Sequence, residues 1–425
     1  MANLSLLLLQ VGVILAAARG LGLLFRRIGQ PQVMGEMVAG ILLGPSLLGW
    51  AAPDVSAFLF PPASLGFLGS ISQVGLLVFM FLVGLELDPR LLRGRTRTAV
   101  VTSHVSIAAP FFLGAALALY LYPRLSSDAV QFTGFALFMG AAMSVTAFPV
   151  LARILTERDL LRTRVGTVTI ACAAVDDVTA WCILAGVVAL VRSSDAGALP
   201  LWATLAGSAA FIVLMVLVGK RAFAGLERWY VRRGAITQDM LAVILLVALA
   251  AAAATELLGI HALFGAFLAG AVMPKGEAFM HALNEKLHDL TVVLLLPLFF
   301  AFTGLRTHVG LLEGGEMWAM CALIVLVAVV GKFGGSALAA RATGMTWREA
   351  GALGVLMNTR GLMELVILNI GLDIGVISPA LFAMLVLMAL ATTFMTSPLL
   401  EWIYPARLIR AAADDPHPER VELIV

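Results

Sequence analysis

Thirteen apolar stretches divide this chain almost from end to end, and most are close to the roughly 20 residues a helix needs to cross a bilayer. They fall near residues 4–25, 31–49, 65–87, 99–122, 130–153, 164–191, 202–219, 239–258, 261–274, 289–304, 316–339, 349–371 and 378–400. The stretches at 31–49 and 261–274 are short and rich in glycine. Composition points the same way. The 425 residues are 61% hydrophobic and 13% charged, where a soluble domain is about 45–50% apolar and about 25% charged. A soluble protein of this length would lack the polar surface to cover itself, which excludes a soluble enzyme, a disordered chain and a disulfide-stapled scaffold. Met1 to Leu4 carry no Lys or Arg and show no cleavage pattern, so the first stretch is expected to be a retained helix and not a signal peptide.

The placement of charge tests the span count. With the N-terminus outside, 22 of the 28 Lys and Arg fall in inner segments. Only Arg124, Arg192 and Arg306 fall outside, and Arg19, Lys332 and Arg360 lie within spans. That asymmetry is what the positive-inside rule predicts. The expectation is therefore thirteen transmembrane helices in a cell membrane, N-terminus outside and C-terminus cytoplasmic, followed by a tail at 403–425. A net charge of +2 gives no electrostatic footprint for nucleic acid. Cys172, Cys182 and Cys321 all sit in apolar stretches and read as small core residues. There is no G-x-G-x-x-G after a predicted strand, no H-E-x-x-H and no G-x-S-G, so neither an appended nucleotide-binding domain nor an intramembrane protease is indicated.

Charges inside spans carry the functional signal, because each costs at least about 2.5–3.5 kcal/mol to insert. Asp176 and Asp177 lie in Ala-Val-Asp-Asp-Val-Thr, roughly 17 Å deep at 1.5 Å per residue. Adjacent helical residues point about 100° apart, so the two carboxyls do different work. Lys332, in Val-Gly-Lys-Phe-Gly-Gly, is roughly 12 Å deep and needs one of those aspartates as its partner, unless it snorkels to the interface. Arg360 and Glu364 sit four apart, where they neutralise each other on one helix face. For that pair a structural role and direct contact with cargo both stand. Asn358, Thr359 and Gly361 around Arg360 favour local unwinding. In the fifth span Ser144, Thr146 and Pro149 give either a simple kink or a second unwound segment, since proline removes a hydrogen bond. Interrupted helices at corresponding places in two halves point to an inverted-repeat secondary transporter with its site near the midplane.

The segments VGLLVFMFLVGLELD (74–88), AVDDVTAW (174–181), PLFFAFTGLRT (297–307), GKFGG (331–335) and NTRGLMELVILNIG (358–371) resemble the monovalent cation:proton antiporter-2 family. That family includes Kef-type and plant cation/proton exchangers, and the resemblance spans all thirteen stretches. It implies an all-α sodium/proton-antiporter fold: inverted repeats with two broken, crossing helices. It also implies a division into interface helices 1–3 (1–98), core helices 4–6 (99–192), linker helix 7 (193–238), interface helices 8–10 (239–315) and core helices 11–13 (316–402), with the interface helices forming a homodimer. By the same resemblance Asp177 binds the cation or proton, Asp176 pairs with Lys332, and Thr146, with Ser144 nearby, supplies an ion contact. Kef-type exporters typically carry Gln-Asp where this chain has Asp-Asp, and they append a nucleotide-sensing domain. The departure favours an ungated exchanger.

The expected function is antiport of Na⁺ or K⁺ against H⁺ by alternating access, as a core moving against its frame, with no cofactor and with lipid, cation and proton as partners. A buried carboxyl suits this because, once protonated, it is a poor cation ligand. A cation channel, or a potassium-efflux system without its regulatory domain, is the alternative. Glu36, Glu86, Glu256, His104 and His261 lie within or beside spans and read as rim or pH-modulating residues.

Overall fold

The computed structural model describes residues 4–86, 97–127, 130–158, 160, 163–192 and 199–405. The expected inner-side arginines Arg90, Arg93, Arg95, Arg162, Arg407, Arg410 and Arg420, and most of the expected tail, lie outside the described residues. Within them, all regular structure is helical. In chain order the first helices are α1 (Leu4–Arg27), α2 (Gln32–Leu43), α3 (Leu48–Ala51), α4 (Pro53–Leu59), α5 (Pro62–Glu86), α6 (Arg97–Leu125), α7 (Phe132–Ser144), α8 (Phe148–Glu157) and α9 (Arg164–Arg192). They are followed by α10 (Leu201–Leu214), α11 (Lys220–Arg233), α12 (Gln238–Leu257), α13 (Ala262–Ala271), α14 (Glu277–Leu290) and α15 (Leu296–Leu305). The last five are α16 (Gly314–Val329), α17 (Gly335–Ala342), α18 (Trp347–Met357), α19 (Leu362–Asp373) and α20 (Pro379–Ile403). Single π-helical turns at Met215–Gly219, Thr291–Leu295 and Val330–Gly334 join α10 to α11, α14 to α15 and α16 to α17.

Sequence punctuates these helices by ordinary rules. Pro53, Pro149 and Pro379 stand in first turns, where a missing N–H costs nothing. Thr346 and Glu349 form a capping box at the start of α18, satisfying two orphan donors reciprocally. Gly234 ends α11 at φ 72°, a left-handed conformation open to glycine.

Ten helices among the described residues are long and apolar enough to cross a membrane, and eleven if the bent pair α18–α19 is one span. The expected stretch at 130–153 is two shorter helices, α7 and α8, parted at 145–147. The expected stretch at 261–274 carries the ten-residue α13. Gly259 at φ 83° turns the chain before it, and Pro274 follows within three residues of its end, where it disfavours a continued helix.

The chain divides into two compact units, one of residues 1–17, 52–88 and 185–302, the other of 18–51, 89–184 and 303–425. In the first, α5 and α13 cross in backbone contact. A Cβ on Gly84 would strike the carbonyl oxygen of Phe267, and one on Gly270 that of Phe81. Lys275 closes the crossing by donating to the Gly84 and Leu85 carbonyls at 3.1 and 2.6 Å. In the second unit, Leu151, Leu155, Val165, Cys172, Leu353 and Leu356 form a dry cluster contributed by α8, α9 and α18.

Gly84→Val therefore lowers the thermal unfolding midpoint of the purified protein, at an overpacking cost of about 1–3 kcal/mol. Gly12→Ala in α1, where an added Cβ meets nothing, leaves the midpoint unchanged or raises it.

Candidate cation and proton site

Two helices of the second unit stop part-way and resume. α7 ends at Ser144 and α8 begins at Phe148; α18 ends at Met357 and α19 begins at Leu362. Backbone groups freed by such breaks must find protein partners where water is absent, and here the two breaks serve each other. Ala147 N–H donates to the Thr359 carbonyl at 3.0 Å, and the Thr146 hydroxyl reaches the Met357 carbonyl at 3.2 Å. Behind them α20 supplies hydroxyls. Thr393 Oγ1 accepts from Arg360 N at 3.0 Å, and its hydroxyl reaches the Arg360 carbonyl at 2.6 Å.

The last carbonyls of a helix have no intrahelical partner and form its negative end. In α7 the final three are taken by two fully buried cations. Arg360 Nη1 donates to Ala142 O at 2.8 Å and Nη2 to Met143 O at 2.7 Å. Lys332 Nζ donates to Ser144 O at 2.5 Å. Each cation is also paired with a carboxylate, Arg360 with Glu364 at 2.6 Å and Lys332 with Asp176 at 2.8 Å, and all four side chains are shut off from solvent.

Lys332 is brought there by its neighbours. It sits in the π-helical turn between α16 and α17, a distortion frequent at functional sites. A Cβ on Gly331 would lie 2.8 Å from Pro110 Cα, and one on Gly335 2.9 Å from Ala109 Cβ. The missing side chains thus let α6 close in. Pro110 also lacks the N–H that would have taken the carbonyl four residues back. That carbonyl, Ser106 O, accepts from Lys332 Nζ at 2.9 Å. Asp176 gains hydroxyl contacts from Ser106 at 2.7 Å, Thr146 at 3.1 Å and Ser103 at 3.3 Å.

Asp177 is different. It is 2% exposed, yet its buried Oδ1 has no hydrogen-bond partner among the described residues. The cluster therefore holds two cations against three carboxyls, and Asp177 is the carboxyl left over.

The other residues singled out by sequence divide as follows. Ser144 contributes its carbonyl to Lys332, while its hydroxyl is used within the helix on Gly140 O at 2.7 Å. Thr146 touches Asp176. Pro149 stands in the first turn of α8, and its side chain lies outside the described residues. Asn358 Nδ2 lies 3.8 Å from Met395 Sδ, and Thr359 Oγ1 lies 3.4 Å from Thr396 Oγ1. Ser103, Ser106 and Pro110 were not read from sequence as site residues. Their signal was available in the three-residue spacing of the serines and in a proline four residues beyond the second. Of the rim candidates, Glu256 pairs with Arg192 at 3.0 Å and His261 caps α13. His104 bonds its own helix at Val100 O, Gln32 donates to Glu36 at 3.1 Å, and Glu86 closes α5.

Residues 13–402 match the family model described as "Sodium/hydrogen exchanger, transmembrane". The chain belongs to that family. It is 47% identical over 406 residues to the Na⁺/H⁺ antiporter NhaS4 of Synechocystis, covering 95% of this exchanger-family chain and 98% of the relative. It is 41% identical to cation/H⁺ antiporter 17 of Arabidopsis thaliana and 33% identical to K⁺/H⁺ antiporter 1 of Saccharomyces cerevisiae, over 94% and 95% of its own length. The chain spans about half the length of those two, 48% and 47% respectively. The structure of the sodium proton antiporter MjNhaP1 from Methanocaldococcus jannaschii shares the fold at a TM-score of 0.66 and 16% identity, with 96% of this chain and 100% of that one covered. The expected kinship with cation/proton antiporters thus stands, and this exchanger-family chain is a multi-pass membrane transporter and not an enzyme.

Lys332→Met leaves the Asp176 charge buried and unpaired, which costs about 3–5 kcal/mol. The unfolding midpoint is expected to fall steeply. In Lys332→Met/Asp176→Asn the loss is smaller than the sum of the two single losses, as a double-mutant cycle on coupled residues requires.

Proposed function

We propose that this chain exchanges a monovalent cation, Na⁺ or K⁺, for protons by alternating access, and that Asp177 holds either the cation or the proton. The observation that carries the reading is the unmatched carboxyl. An ionised carboxylate taken from water without a partner is too costly to keep, so Asp177 carries a proton or a cation, and the two compete for the same oxygens. Asp176 is the fixed anion. Its three hydroxyl contacts and its ion pair with Lys332 hold it as part of the scaffold of the site. Thr146 and Ser144 act through that scaffold, the first on Asp176 and the second on Lys332. Arg360 and Glu364 hold the broken helices, with Pro149, Asn358 and Thr359 as their support.

Alternating access follows from the same cost. An empty, ionised Asp177 cannot cross an apolar barrier, so only the protonated or cation-loaded site changes face. In this reading the chain crosses a cell membrane thirteen times, N-terminus outside and C-terminus cytoplasmic, counting α7–α8 and α13 with the eleven apolar spans. The halves at 99–192 and 316–402 form the core that carries the site, and 1–98 and 239–315 form the frame of a homodimer, with 193–238 as linker and 403–425 as cytoplasmic tail. The positive-inside asymmetry and the family kinship support this arrangement. The relatives' names include both sodium and potassium antiporters, which supports either cation as cargo.

The test is proton flux in liposomes holding the purified protein and a trapped pH dye, acid inside, with Na⁺, K⁺ or Li⁺ added outside. Cation-driven alkalinisation is expected, and Asp177→Asn reduces it to the level of empty liposomes. The apparent cation affinity falls as the outer pH is lowered, because protons occupy the same group. Undiminished flux in Asp177→Asn moves the site elsewhere. A folded protein with no cation-dependent proton movement overturns the exchanger reading.

A further inference from the structure

The segment PLFFAFTGLRT (297–307) carries part of the family resemblance but takes no part in the site. Its polar end is built into the second unit with unusual completeness. Arg306 spans one turn of α19, donating from Nη1 to Asn369 Oδ1 at 3.0 Å and from Nη2 to Asp373 Oδ1 at 2.6 Å. Asn369 in turn donates from Nδ2 to Thr303 Oγ1 at 2.8 Å and to Leu365 O at 2.9 Å. On the other flank the strap meets the end of α2. A Cβ on Gly304 would strike the backbone of Gly40, and one on Gly44 would lie 2.8 Å from the Gly304 carbonyl oxygen. Ser46 Oγ donates to Thr307 O at 2.7 Å and accepts from Val309 N at 3.0 Å. Residues 303–309 are thus gripped from both sides and cannot slide along α19 without breaking the Arg306 contacts.

α19 connects this grip to the cation site. It starts at the unwound segment, carries Glu364 in its first turn and Asp373 at its end, and places the two carboxylates roughly 14 Å apart along one helix. A shift of the crossing moves the far end of α19 with it. The strap also opposes its charges near the surface, since the Arg306 and Asp373 side chains are 24% and 39% exposed, where a pair can part and re-form at modest cost.

We infer that Arg306 is a positioning residue for transport: by clamping Asn369 and Asp373 it holds the outer end of α19 closed on its own membrane face and sets how much of the population presents the site to each side. This rests on the exchanger reading above. The clamp favours the conformation described here, and the opposite conformation requires its release. A ligand that binds only one conformer shows an apparent affinity scaled by the population of that conformer.

The experiment measures the apparent KM for the transported cation at both faces, in right-side-out and inverted membrane vesicles carrying the full chain. Arg306→Gln and Asp373→Asn each release the clamp. Each lowers the apparent KM on the Arg306 face and raises it on the opposite face by about threefold, the scale of one partly exposed charge pair. The swap Arg306→Asp/Asp373→Arg restores the pair with reversed polarity and returns the ratio of the two KM values toward that of the unmodified protein. A residue with only a structural role lowers the rate at both faces and leaves the ratio where it was. An unmoved ratio in both single variants overturns the inference, as does a shifted ratio that the swap fails to restore. Should Arg306→Gln fail to fold, Asp373→Asn, which removes one surface charge, reads out the same ratio. Absence of exchange in the unmodified vesicles counts against the exchanger reading and the clamp together; exchange with an unmoved ratio counts against the clamp alone.

Discussion

Everything in the site follows from stopping α7 at Ser144, inside an apolar chain. The break leaves the carbonyls of Ala142, Met143 and Ser144 without helical partners, at the negative end of a helix and away from water. Neutral donors suffice near a surface; here Arg360 and Lys332 do the work, each fully buried. A buried cation in turn requires a carboxylate, so Glu364 and Asp176 are drawn in. At that point the local charges balance, and every further ionisable group needs a separate reason to exist. Asp177 has none in the fold, which is why it is read as the group that meets the cargo.

Packing makes this arrangement possible as much as charge does. Lys332 reaches Ser144 and Ser106 because Gly331 and Gly335 admit the backbone of α6 at Pro110 and Ala109. Pro110 lacks the N–H that would have taken the Ser106 carbonyl, which the lysine uses. The second break is backed by α20, whose Thr393 bonds Arg360 N and O while Thr396 lies beside Thr359. Leu353, Leu356, Leu151 and Leu155 form a dry cluster beside the crossing. Low dielectric strengthens the two ion pairs and raises the cost of any unpaired charge at the same stroke, so the apolar surroundings are part of the electrostatics.

Much of this was legible in the residues, for physical reasons that can be named. Asp176, Asp177, Lys332, Arg360 and Glu364 stood out because charge in hydrocarbon is expensive, and the structure brings four of them together as two pairs. The breaks near Thr146 and Asn358 were signalled by proline, glycine and hydroxyls where a continuous apolar helix was otherwise due. Less legible was anything that depends on which neighbour arrives. Ser103 and Ser106 look like ordinary small polar residues until α6 is laid against α9 and their hydroxyls fall on Asp176. Ser144 was singled out beside Thr146 as an ion contact, and in the structure its carbonyl is taken by Lys332, a partner that only the packing of a distant helix reveals. The stretch at 261–274 reads as apolar throughout because hydropathy ignores the Gly259 turn and Pro274, which bound the ten-residue α13.

The adjacency of Asp176 and Asp177 resolves what would otherwise be a conflict between stability and function. A transport group must be free to change partners, and a buried charge must not be. Two consecutive positions on α9, about 100° apart around the helix, separate these demands without separating the residues. Asp176 turns to Ser103, Ser106, Thr146 and Lys332 and so locks the register of α9 to α6, to the first break and to the π-helical turn. Asp177 inherits that position without sharing the bonds. Its place relative to the broken helices is fixed by its neighbour, one peptide away, while its own oxygen stays available. In the proposed exchange a carboxyl anchored in this way moves with the whole crossing, which ties a change of ion occupancy to a displacement of helices and not to the swing of a single side chain.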